Sequence, residues 1–198
     1  MKKLLILFIA LYSLSACSVF SPVKTETQTT YLINTVPNPA VKKSQRRISL
    51  LVTQPEASSL YNTTSMAYTT HPYQIGYFVK STWAEPPPQM LQPLVIQTLQ
   101  RTHYFRSVGS LSNIGQYNLT LNTQLIQLEQ DYSRQPHRVH VILRAQIVNP
   151  NTNQILASKE FSAHEIIRRD TTYDGVVATN QAVAKILNQL AAFCLRAI

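Results

Sequence analysis

Val139-His140-Val141-Ile142-Leu143-Arg144-Ala145-Gln146-Ile147 is the stretch that decides the fold. Val139, Val141, Leu143, Ala145 and Ile147 take every second position, with His140, Arg144 and Gln146 between them. A period of two puts the apolar set on one face of a half-buried strand. The turn-forming run Asn149-Pro150-Asn151-Thr152-Asn153 follows, and Ile155, Ala157, Lys159 and Phe161 lie on the next strand. Upstream, Tyr117, Leu119, Leu121, Thr123 and Leu125 alternate with polar residues; the phase then slips to Ile126 and Leu128, which predicts a β-bulge. The three strands read as an antiparallel meander whose apolar face needs a cover.

Two helices can supply it. Thr171-Thr172-Tyr173-Asp174 has helix-capping chemistry, and Val176, Val183, Ile186, Leu187, Leu190 and Cys194 form one stripe behind it. Pro86-Pro87-Pro88 opens another helix, with Met90, Leu91, Leu94, Val95, Thr98 and Leu99 at helical spacing. Pro93 must lie in its first turn or kink it. Shorter strand candidates are Tyr31 to Ile33, Ile48 to Val52, the weak run Leu60 to Tyr68, Tyr73 to Val79, and Phe105 to Val108; the third and fourth could form a hairpin around Thr69 to Pro72. The expected fold is an α/β or α+β sandwich: a mixed, largely antiparallel sheet of about six strands covered by two amphipathic helices.

The chain begins with Lys2-Lys3, an apolar run from Leu4 to Tyr12, and Leu14-Ser15-Ala16-Cys17. That is the layout of a secretory signal over residues 1–16. Nine apolar residues are too few to span a bilayer, which takes about 20. The Leu-Ser-Ala-Cys end resembles the lipobox of bacterial lipoproteins, in which the cysteine sulfur takes a diacylglycerol, the signal is removed and the new amino end is acylated. A plain secretory signal with a chance cysteine, or an uncleaved anchor, is the alternative. Residues 17–30 then make a lipidated Cys17 and a Ser/Thr-rich tether, and residues 31–198 one domain. Ser18 stands where an aspartate would favour inner-membrane retention by the enterobacterial sorting rule, a rule that varies between bacteria, and so favours the outer membrane.

With Lys2 and Lys3 gone, 16 basic side chains stand against 9 acidic ones, a charge of +7. Export argues against nucleic acid and leaves anionic headgroups or an acidic protein. Lys42, Lys43, Arg46 and Arg47 are candidate headgroup contacts, unless they form an ordinary solvated loop. Cys194 has no second cysteine to pair with once Cys17 is lipidated, and its place on an apolar stripe predicts an inert buried thiol.

No nucleophile elbow, Gly-rich phosphate loop or carboxylate pair is present, so no catalytic residue and no cofactor is expected. A Ser and a His converging in space would leave an exported lipid hydrolase as a remote alternative. His137 and His140 are three apart on a strand and so face opposite ways, which argues against a metal site. For partner binding the candidates are Trp83 and the tyrosines Tyr61, Tyr68, Tyr73 and Tyr77, against the plainer readings of a core tryptophan and cross-strand packing.

The lipobox, Tyr31-Leu32, the opening strand, Val79-Lys80-Ser81-Thr82-Trp83-Ala84-Glu85-Pro86 at the mouth of the first helix, the meander, and a closing helix with Asp174, Val177, Ala178 and Leu190-Ala191 resemble the ABC-type transport auxiliary lipoproteins, the PqiC-like proteins. The resemblance implies a non-enzymatic, outer-membrane lipoprotein facing the periplasm. Its implied partners are an MCE-domain protein and ABC transporter subunits that move lipid across the Gram-negative envelope, with self-association left open. A structural lipoprotein of another envelope or secretion complex is the alternative.

Overall fold

The computed structural model describes residues 27–39 and 44–198; the signal segment, Cys17, the tether up to residue 26, Lys42 and Lys43 lie outside the described residues. In chain order the elements are β1 (Thr29–Tyr31), β2 (Ser49–Val52), β3 (Glu56–Ala57), β4 (Ser65–Thr69), β5 (Gly76–Trp83), α1 (Pro87–Gln100), β6 (Ser107–Gly109), β7 (Leu119–Asp131), β8 (Arg138–Asn149), β9 (Gln154–Ile166) and α2 (Thr172–Ala197). This is a mixed α+β fold.

The meander is the spine of the sheet. β7, β8 and β9 pair antiparallel along nearly their whole lengths, and the slip of phase appears as a bulge between Leu125 and Gln127. The other edge of β7 is shared in parallel by three short strands in succession: β2 at Leu119 to Leu121, β3 at Gln124 and Leu125, β4 at Gln130 and Asp131. β6 extends the sheet beyond β2, while β5 and then β1 extend it beyond β4. So the sheet has nine strands among the described residues where about six were expected, and more parallel pairing. The two-residue β3 carries no periodic signal at all.

Val139, Val141, Leu143, Ala145 and Ile147 are buried, and α2 packs on β8 and β9 with its whole expected stripe buried. α1 packs on β2 and β6 and meets α2. All four residues of β2 are buried, as expected of a strand flanked on both sides and covered. Thr171 caps α2 by accepting a hydrogen bond from the Asp174 amide at 3.2 Å. α1 runs unbroken through Pro93, its seventh residue, rather than holding it in the first turn; the ring removes one helical hydrogen bond, and buried Leu91, Leu94 and Val95 hold the helix to the core.

The weak strand expected from Leu60 is cut short. The amides of Tyr61 and Asn62 both donate to the Ser58 carbonyl (3.0 and 2.9 Å), which turns the chain there, and pairing begins only at Ser65.

Candidate functional site

β4 and β5 form the expected hairpin, with Ala67 opposite Tyr77 and Tyr68 opposite Gly76. A Cβ at Gly76 would stand 2.7 Å from Cζ of the Tyr68 ring, so a side chain there would require that ring to move. The Thr69 hydroxyl lies 2.8 Å from the His71 carbonyl and 2.7 Å from that of Gln74, tying the turn together. Tyr73 has the left-handed φ of 66° and is fully exposed, and Ile75, Tyr77 and Val79 are exposed after it.

The other aromatic candidates point inward. Tyr68, Phe78 and Tyr132 pack with ring centroids 4.7 to 6.5 Å apart, and Tyr132 meets His137 at 4.9 Å. His137 Nδ1 lies 2.7 Å from Asp170. Burial, with the Asp170 charge added, pushes the Tyr132 hydroxyl up to about 12. Tyr61 is buried and its hydroxyl donates to Glu129 at 3.2 Å; burial first and Glu129 second raise its pKa well above the ordinary tyrosine value. Trp83 is 2 % exposed, with its Nε1 unpartnered. Of the five aromatic candidates, then, only Tyr73 and Tyr77 are exposed. The plainer reading of a core tryptophan holds for Trp83, which seals the core where β5 runs toward α1; Tyr61 is buried too, but from the turn after Ser58 and not by cross-strand packing.

Arg46 and Arg47 are exposed and line, with Gln45 and Arg106, a groove of about 440 Å³. Hydrogen bonds to backbone carbonyls build the groove: the Arg46 amide donates to the Tyr104 carbonyl at 2.6 Å, the Arg106 amide to the Ile48 carbonyl at 2.9 Å, and the Gln45 side-chain Nε2 to the Phe105 carbonyl at 3.0 Å. Arg106 gave no sign of this role in the sequence, because only the parallel pairing of β2 with β6 brings it beside Arg46. These segments precede β2 and β6, and β2 joins β7 at Leu119. The arginine groove therefore lies at one end of β7 and the hairpin turn at the other. Twelve residue steps at about 3.3 Å put those ends about 40 Å apart.

A third feature lies on the sheet face away from the buried row. His140 and His164 stand opposite each other on β8 and β9 with rings stacked 3.9 Å apart, beside a cleft of about 530 Å³ lined also by Asp131, Arg134 and Arg138. Burial, and then the neighbouring His164, lower the His140 pKa; Asp131 opposes them. Ser162 Oγ is 3.3 Å from His140 Nε2, but among the described residues no carboxylate is hydrogen-bonded to either ring to orient it as a base. His137 and His140 are engaged separately, and no group of three or more His, Cys, Asp or Glu side chains placed to hold a metal occurs among the described residues. No helix among them is long and apolar enough to cross a membrane.

A family model described as the ABC-type transport auxiliary lipoprotein component matches residues 31–191. The crystal structure of protein XCC0632 from Xanthomonas campestris is similar with a TM-score of 0.78 at 20 % identity, over 85 % of this chain and 95 % of that one. A crystal structure of an uncharacterized protein follows with a TM-score of 0.69 at 18 % identity, over 85 % and 99 % of the two chains. At these identities the likeness is one of fold. No curated protein sequence matches the chain.

Proposed function

The chain belongs to the family of ABC-type transport auxiliary lipoprotein components, and from that premise we propose that it is the non-enzymatic docking subunit of an MCE-associated lipid transport system, held at the periplasmic face of the outer membrane by an acylated Cys17. The domain of residues 31–198 does the docking. One observation carries the reading: two exposed surfaces lie at opposite ends of β7, the hairpin turn with Tyr73 and Ile75 at one end and the groove of Arg46, Arg47 and Arg106 at the other. A bridge between a membrane and a transporter needs two such ends; an enzyme would need one organised pocket.

The arginine end suits an acidic surface on the protein partner, where charge steers association and sets its salt dependence. Tyr77 and Val79 are exposed along the hairpin stem, toward the other end of β7. Reversing the groove with Arg46→Glu, Arg47→Glu and Arg106→Glu tests this. Recovery of an MCE-domain protein from solubilised envelopes should drop at least several-fold at low salt, with the membrane attachment intact. Unchanged recovery would move the docking surface elsewhere, and recovery of secretion components in its place would assign the chain to another envelope machine.

A further inference from the structure

β1 runs parallel to β5, with Thr29 opposite Ser81 and Tyr31 opposite Trp83. β5 starts at the hairpin turn, so the backbone enters β1 travelling away from that turn. Gln28 Nε2 donates to the Val79 carbonyl at 2.9 Å, nearer the turn than Ser81. Thr27 thus lies closer to the hairpin end of the sheet than to the arginine end. Ten residue steps lead from Cys17 to Thr27, and at about 3.3 Å each they span at most about 33 Å.

Other connections share this end. The Tyr132 amide donates to the Thr69 carbonyl at 2.8 Å and the Ile167 amide to the His137 carbonyl at 2.9 Å, which places the turn after β4, the β7–β8 loop and the β9–α2 connection together. Tyr73 and Ile75 are exposed on the hairpin turn, Ile166 at the end of β9 and Tyr173 in the first turn of α2. So are Arg134, Arg168 and Arg169, although Arg169 is held by Asp174 at 2.9 Å and Asp170 adds a negative charge beside His137. Charge at this end is close to balance, so general attraction to anionic lipid would not seat it. Exposed apolar groups would, and tyrosine, with an apolar body and a polar tip, suits headgroup depth.

We infer that this end of the sheet rests on the membrane that holds Cys17, with Tyr73 and Ile75 seated among the lipid headgroups and Arg134 and Arg168 beside lipid phosphates. The inference rests on the acylation of Cys17. The tether makes the contact intramolecular, so that a surface too weak to bind vesicles alone is held in place. The Arg46, Arg47 and Arg106 groove then faces away from the membrane, toward the partner.

The test uses the acylated full chain in vesicles of phosphatidylethanolamine and phosphatidylglycerol with brominated acyl chains. A polarity-sensitive fluorophore is attached through Tyr73→Cys, through Ile75→Cys, or through Asn151→Cys at the opposite end. Cys194 is buried and stays unlabelled. Labels at 73 and 75 should be blue-shifted and quenched several-fold more than the label at 151. An acylated protein whose 73 and 75 labels report water overturns the inference alone. Mass spectrometry showing no acyl chain on Cys17 overturns the anchor and the inference together, so the two failures are distinct.

Discussion

The side-chain amide of Gln130 on β7 occupies the space that a Cβ on Gly175 of α2 would need. The same Gln130 accepts a hydrogen bond from the Tyr132 hydroxyl at 2.8 Å, so the first turn of α2 is seated directly on the aromatic cluster behind the hairpin. A glycine so near a helix start is not a flexible joint here; it permits close approach.

Gly175→Ala should therefore destabilise the fold. Helix propensity alone favours alanine by about 1 kcal/mol, but forcing a methyl into a filled site costs about 1–3 kcal/mol, and the larger effect sets the sign. Thermal unfolding should show a lowered Tm, and adding Gln130→Ala should recover part of the loss. Additive losses would mean that the two residues do not share the space.

Trp83→Ala should remove about 3–5 kcal/mol of stability, in the range for large aromatic truncations in a core. Trp83→Phe should lose much less, since it leaves no indole N–H buried without a partner. Denaturant titration measures both. At temperatures where the Phe variant is folded its partner recovery should equal that of the original chain; a selective loss of recovery would restore Trp83 as a contact.

His140 gives the fold a pH dependence of known sign. Its folded-state pKa is lowered from 6.5 by burial and by His164, so the unfolded chain binds more protons as pH falls through that value. Stability should decline below about pH 6.5 and level off only below the lowered pKa. In denaturant titrations from pH 7.5 to 5, His164→Gln should make that decline shallower. An unchanged slope would place its origin in other groups.

The Cys194 thiol, pushed up to about 12 by burial, has almost no thiolate at pH 8. An aromatic disulfide reagent should label it only as the protein unfolds, with the labelling rate rising with denaturant in step with unfolding. Fast labelling of the folded chain would contradict its place on the buried face of α2.

The meander was legible because Val139 to Ile147 obeys a period of two, and even the bulge was visible as a slip at Leu125 and Ile126. The cap at Thr171 and the stripe from Val176 to Cys194 were equally local. What stayed hidden depends on contacts far apart in sequence. Three short strands share one edge of β7, each too short to show a period; Arg106 reaches Arg46 only through β2 and β6. Tyr61, Tyr68, Tyr73 and Tyr77 look alike in a sequence, and only the turn at Ser58 and the ring cluster with Tyr132 decide which are exposed. The direction in which β1 meets β5, on which the membrane-facing end depends, has no local signature at all.

The most direct test of the docking role is mass spectrometry of the proteins recovered with the tagged chain from detergent-solubilised envelopes, with Cys17→Ala run beside it. An MCE-domain protein and ABC transporter subunits should be recovered with the original chain, and the Cys17→Ala protein should be released from the membrane fraction. An original chain recovered with no transporter component, or a Cys17→Ala chain that stays in the membrane, would contradict the anchored docking role.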